Sequence, residues 1–121
     1  ELFQRVLEGR AAMIEGNASA AVAAFTRAAA LQAEGGDEGG DPPAIWYPTR
    51  RSLAAAMLAG GDAAGAKAKV DELLKDWPND PYSYFVLSKA EAALGHEAAA
   101  AEALRRAHLE WIGGEMTLAG A

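Results

Sequence analysis

The sequence predicts an all-α array of paired helices, and three observations carry that prediction. The first is a self-match at a fixed distance of 34 residues: Leu53 recurs as Leu87, Gly61 as Gly95, Ala66 as Ala100, Val70 as Leu104 and Trp77 as Trp111. A period of that length with its apolar positions kept marks stacked helix-turn-helix units, because one such unit cannot bury its apolar face alone. The second is composition. About a quarter of the 121 residues are alanine and β-branched residues are scarce, a mixture that favours helix and lets helices approach closely. The third is patterning: apolar residues recur at helical spacing on otherwise charged stretches, separated by Gly-Asp or Gly-His pairs.

Residues 1–34 form a first unit, offset from the others. Gly16 stands where Gly61 does, and Ala21, Phe25 and Ala28 follow it as Ala66, Val70 and Leu73 follow Gly61, but the distance is 45 residues. The first helix is expected over about Leu2–Glu15, with Leu2, Val6, Gly9 and Met13 as its stripe. Asn17 is expected to cap a second helix that runs to about Ala33. Residues 35–46 are an inserted Gly/Asp/Pro loop, in which GGDEGGDPP has too much glycine and proline for a helix or strand interior. Asp37, Glu38 and Asp41 could offer oxygen to calcium, yet they lack the alternate-position ligands and closing glutamate of a helix-loop-helix calcium site. A solvated acidic loop is the preferred reading, with Ile45, Trp46 and Tyr47 anchoring its end.

Residues 47–80 and 81–112 are the second and third units, and 113–121 a C-terminal tail. Pro48 and Pro81 are each placed to open a helix, where the missing N–H costs nothing. Asp62, Asp80 and His96 take the cap positions. The fourth helix carries Ala66, Val70, Leu73, Leu74 and Trp77 on one face and Lys67, Lys69, Asp71, Glu72 and Lys75 on the other. The sixth repeats this with Ala100, Leu104, Ala107 and Trp111. Gly113 and Gly114 should stop it, after which Met116 and Leu118 give the tail two apolar handles for folding back as a cap on the last unit.

These residues fit a known template of aromatic-x2-Leu-small-x2-bulky, then Ala-x3-bulky, then Pro. The second unit offers Arg50, Leu53, Ala54, Met57, Ala66, Val70 and Pro78; the third offers Tyr84, Leu87, Ser88, Glu91, Ala100 and Leu104. The chain thus resembles the tetratricopeptide repeat family. Residues 41–111 also look like the C-terminal repeats of long bacterial proteins of that family, whose role is not settled. There a similar Tyr-Pro and Arg-x-Ser-Leu segment recurs, although Ala54 stands here for the usual glycine. The resemblance implies a right-handed superhelical solenoid of three helix pairs, and a scaffold that binds a partner in its concave groove.

Chemistry finds little foothold. His96 and His108 lie twelve residues apart without a second ligand at metal spacing, and GGDEGG lacks the strand before it and the Lys-Ser/Thr after it that a phosphate loop needs. The serines sit in no nucleophile motif. The reading is therefore no enzyme, no cofactor and no metal. A net charge of −6 argues against a nucleic-acid surface, and no apolar run reaches membrane-spanning length. With no cysteine the redox compartment is unreadable. The chain enters a helical pattern at Glu1 without an initiator methionine and reads as an excised piece.

In the resembling family the first helix of each unit lines the groove. Carried over by register, this gives Val6, Arg10 and Met13, then Arg51, Ala55 and Leu58, then Tyr82, Phe85, Lys89 and Ala92. Arg10, Met13, Arg51, Leu58, Tyr82, Phe85 and Lys89 form the candidate site, and Arg10, Arg51 and Lys89 would suit a peptide or protein segment with acidic and apolar residues. The same cations also read as ordinary solvated side chains. Self-assembly into a homo-oligomer, or an accessory role on a larger enzyme, stands as the alternative function.

Overall fold

The computed structural model describes residues 1–35, 47–111 and 113–121 and contains six α-helices: α1 Leu2–Ile14, α2 Ala18–Ala33, α3 Thr49–Ala59, α4 Ala63–Leu74, α5 Pro81–Ala93 and α6 Glu97–Glu110. Among those residues there is no strand. Consecutive helices pack against one another from α1 to α6, and α3 also meets α5. The glycine- and acid-rich run at 36–41, with the calcium question attached to it, lies outside the described residues, as do Ile45 and Trp46.

Three turns of one design set the hairpins. In each, a glycine at positive φ follows the helix (Gly16 at 75°, Gly61 at 90°, Gly95 at 81°). Its N–H bonds the carbonyl three residues back: Met13, Leu58 and Ala92 at 3.0–3.1 Å. The next N–H reaches five residues back, from Asn17 to Ala12, Asp62 to Met57 and His96 to Glu91, at 2.8–2.9 Å. Both bonds satisfy carbonyls that a helix end leaves open, and the geometry asks for a left-handed residue, hence glycine.

The residue after each glycine also starts the next helix. Asn17 accepts from the Ala20 N–H at 3.1 Å and Asp62 from the Gly65 N–H at 2.9 Å, as the sequence predicts. His96 holds the cap position without a side-chain cap bond, its ring 3.4 Å from Glu91. Asp80 departs from expectation as well. It stands at the N-cap of α5, but its carboxylate turns to Arg51 and Ser83. Pro81 is at the first helical position as expected, whereas Pro48 sits one place earlier, as the cap of α3.

The core divides in two. Leu2, Val6, Ala12, Ala21, Phe25, Ala28, Leu53 and Ala56 join α1, α2 and α3. Ala54, Ala55, Ala66, Val70, Val86, Ala90 and Ala107 join α3 to α6, together with Tyr82, Phe85 and two residues of the tail, Met116 and Ala121. Met13 and Met57 touch both clusters. Alanine and glycine set the helix spacing: a Cβ on Gly9 would lie 2.5 Å from the Phe25 ring, so α1 and α2 meet more closely than any larger residue allows. Trp77, expected on the buried stripe of α4, is 40% exposed beyond the helix end, and Leu87 is half-buried where its counterpart Leu53 is buried.

The 45-residue offset is not confined to the loop. α2 has 16 residues against 12 in α4, so the first unit is longer by about a helical turn as well as by its connection to α3. Gln32, near the end of α2, holds that connection's far side. It donates to the Tyr47 carbonyl at 2.9 Å and accepts from the Thr49 N–H at 2.8 Å and Thr49 Oγ1 at 3.0 Å.

Candidate functional site: the odd-helix face and its resident tail

Each odd-numbered helix enters from a different neighbour, yet one segment ties α1, α3 and α5 together. Residues 113–121 leave α6 and lie across all three. Trp111 closes the exit, its Nε1 donating to the Gly114 carbonyl and its ring edge-on to Tyr82 at 5.3 Å. From α5, the Tyr82 hydroxyl donates to the Thr117 carbonyl and accepts from the Thr117 N–H, both at 2.8 Å. From α1, Arg10 donates through Nη1 to the Ala119 carbonyl at 3.1 Å and reaches the Ala121 main-chain oxygen at 3.5 Å. From α3, that same Ala121 oxygen accepts from Arg51 Nε at 3.1 Å and Ser52 Oγ at 2.8 Å.

Arg51 is the centre of the arrangement. It is 9% exposed, with its guanidinium carbon 4.5 Å from the centroid of Tyr47 and 4.7 Å from that of Tyr82. Its Nη1 donates to both Asp80 carboxylate oxygens at 2.9 and 3.0 Å. A buried guanidinium needs a paired charge and filled donors, and here aromatic faces, a carboxylate and a main-chain oxygen supply them. A relay runs beside it: Arg10 Nη2 donates to the Tyr47 hydroxyl at 2.8 Å, Tyr47 donates to Ser52 at 2.9 Å, and Ser52 donates to Ala121. Each donor in such a chain polarises the next.

Of the residues expected to line a groove, the structure gathers Arg10, Arg51 and Tyr82 around the tail. Phe85 is buried in the adjoining cluster, edge-on to Tyr82 at 5.8 Å, and Leu58 and Met13 are half-buried against it. Lys89 is exposed, 5.4 Å from the Phe85 centroid. Arg51 requires a correction. The expectation was an exposed cation offered to a partner; the structure places it under the tail and paired with Asp80, because a guanidinium in a mostly apolar layer must be neutralised where it lies.

Tyr47, Ser52, Asp80 and the tail's main chain are site members that sequence reasoning missed. A signal was available: Val6 and Phe85 hold the positions equivalent to Arg51, so a cation stands where the other units are apolar. The tail was expected to cap the last unit, and it covers the odd-helix face instead.

A separate cleft of about 690 Å³ opens between α2 and α4, lined in part by Gln32, Arg50, Leu53, Glu72 and Trp77. Its polar groups bind one another. Arg50 meets Glu72 at 3.2 Å and Asp76 at 2.8 Å, and this pairing, with Lys69 behind it, holds the Glu72 carboxyl below its usual value. Among the described residues no group of three or more metal-ligating side chains converges, and no helix is long and apolar enough to cross a membrane. Set against known proteins, the chain matches no family model, no curated protein and no solved structure.

Proposed function

We propose that the chain is a tetratricopeptide-like array, a binding module rather than an enzyme, whose concave face is the one presented by α1, α3 and α5 and takes an extended segment of a partner protein. The observation that carries this reading is the tail itself, a stretch without helix seated across three odd-numbered helices. The 34-residue register and the three matching turns support it. With Arg51 neutralised by Asp80, the charge this face can offer an acidic partner falls to Arg10 at one end and Lys89 at the other.

Selection from a displayed random-peptide library tests the reading, run against the whole chain and against variants with the tail loosened. A photoreactive residue at Lys89 should then cross-link the selected peptides, and one at the exposed Lys75, just past the end of α4, should not. Enrichment of nothing by any form, or cross-links from position 75 alone, removes the proposal.

Self-assembly is favoured by a different feature. Phe3, Leu7 and Ile14 form one exposed stripe along α1, at 51%, 53% and 82% exposure, and an apolar stripe on a terminal helix is a surface that another unit can cover. Concentration-dependent sedimentation abolished by Leu7→Lys would establish that second reading.

A further inference from the structure

We infer that the odd-helix face reads main chain that runs extended and then turns, that residues 113–121 are its exchangeable resident, and that its external ligand is a partner segment of the form apolar-x-apolar-x-Gly-small, which must displace the tail to bind. This rests on the partner-binding reading above and specifies its ligand and its control.

The first ground is the distribution of hydrogen bonds. Among the described residues, every bond from the helices to the tail falls on tail main chain: the Thr117 N–H and carbonyl, and the Gly114, Ala119 and Ala121 oxygens. Any main chain that runs extended and then turns can offer those groups, so no side chain in this set requires the occupant to be this tail.

Side-chain selection is left to four places. Met116 and Ala121 are buried, and Leu118 is half-buried against the same cluster. Gly120 has no room for a side chain, since a Cβ there would lie 2.5 Å from the Tyr82 hydroxyl. Glu115, Thr117 and Ala119 are exposed. From Glu115 to Ala119 the side chains alternate out and in as along an extended segment, and the turn over 118–121 then brings Ala121 inward out of that register.

The second ground is the tail's weak hold on itself. Apart from the closing turn, in which Ala121 N–H reaches the Leu118 carbonyl at 3.1 Å and Gly120 N–H reaches Thr117 Oγ1 at 3.0 Å, it has no regular structure and buries little beyond those anchors. Gly113 and Gly114 connect it to α6, the kind of joint that lets a segment swing away. Segments with few buried contacts open well below the global unfolding free energy.

A partner segment is favoured over the tail of a second copy by mass action. The chain's own tail is present at an effective concentration on the order of millimolar, so an identical tail from another molecule gains no contact and loses the comparison. A foreign segment can gain at the Leu118 position, where the tail's side chain is incompletely covered.

The test uses the peptide GGEMTLAGA, fluorescently labelled at its N-terminus and amidated at its C-terminus, and follows anisotropy. The proteins are the whole chain and a Met116→Asp/Thr117→Pro variant, in which the anchor is charged and the N–H that Tyr82 receives is gone. The peptide should bind the variant at least tenfold more tightly than the unaltered chain, and a peptide with valine at the Gly120 position should lose at least tenfold. Equal binding to both proteins removes the gating, and indifference to the valine removes the register.

If library peptides bind the odd-helix face while GGEMTLAGA binds no folded form, the partner-binding reading survives and this inference falls. Should the variant fail to fold, hydrogen exchange on the unaltered chain decides. The Thr117 amide should exchange at least a hundredfold faster than the Val86 amide in α5, and equal protection overturns the proposal. Dimers that carry exchanged tails would assign the place to a second copy and overturn the partner segment.

Discussion

At the scale of single residues, Arg51 and Gly9 are decided by packing against the general tendency of their types. Arginine on a helix face is ordinarily solvated, and its loss costs little. Here its charge sits between two rings with one carboxylate, so Arg51→Ala leaves Asp80, itself mostly covered, without its partner. The expected loss is about 3 kcal/mol by urea denaturation, and a double-mutant cycle with Asp80→Asn should show strong coupling. Gly9→Ala is the converse case. Helix propensity alone predicts a gain of about 1 kcal/mol, but the new Cβ strikes the Phe25 ring, so a loss of about 1–3 kcal/mol is expected. Gly9 was legible as part of the α1 stripe and its tight approach was not, because the distance to Phe25 depends on how two helices cross. Arg51 was legible as a groove residue; its burial depends on Tyr47, Asp80 and Ala121, which are far apart in sequence.

At the scale of elements, the sequence was most informative where the physics is local. Turn glycines, the Asn17 and Asp62 caps and the i, i+4 stripes of α2 and α4 act over a few residues, and they stand where the spacing predicts. α5 was harder to read. It buries Ser83, Ser88 and Glu91 along with Val86 and Ala90, since it meets α3, α4 and α6, so no single apolar stripe marks it. The pairs that join elements across the surface should respond to pH. Arg50 links α3 to Glu72 of α4 and to Asp76 just past its end, and Arg50's hydrogen bond is the main cause of the lowered Glu72 value. The lowered folded value means its contribution is full above the ordinary 4.5 and is lost as pH falls through the folded value. Glu72 is half-exposed, so the effect is a few tenths of a kcal/mol. Glu72→Gln should lower the neutral plateau by that amount and leave stability below the folded value nearly unchanged, which flattens the acid limb.

At the scale of the molecule, the two clusters meet through Met13 and Met57, so damage to one is felt by the other. Leu53→Ala opens a cavity in the α1–α3 cluster and should cost about 2–5 kcal/mol. Leu87→Ala, at the equivalent but half-buried position, should cost clearly less, and equal losses by calorimetry would mean that the two units pack alike. The all-helical class and the number of helices among the described residues were readable because the apolar pattern matches itself at 34 residues. The path of residues 113–121 was not. It is set by four donors on three helices and by an apolar seat they jointly frame, and of those donors only Arg10 has a charged counterpart in the register of the repeat, Lys89.

The turns have a bearing on how such a chain can change length. In each hairpin the last carbonyls of one helix and the cap of the next are served by neighbouring residues: Gly16 with Asn17, Gly61 with Asp62, Gly95 with His96. Adding one residue there would break two bonds and displace the cap at once. The joint between α4 and α5 has no such double duty, and the connection from α2 to α3 is the longer of the two. Genetic insertion and deletion are therefore channelled to alternate joints. A library of single-codon insertions across the gene should survive between α2 and α3 and between α4 and α5, and be purged at the three hairpins.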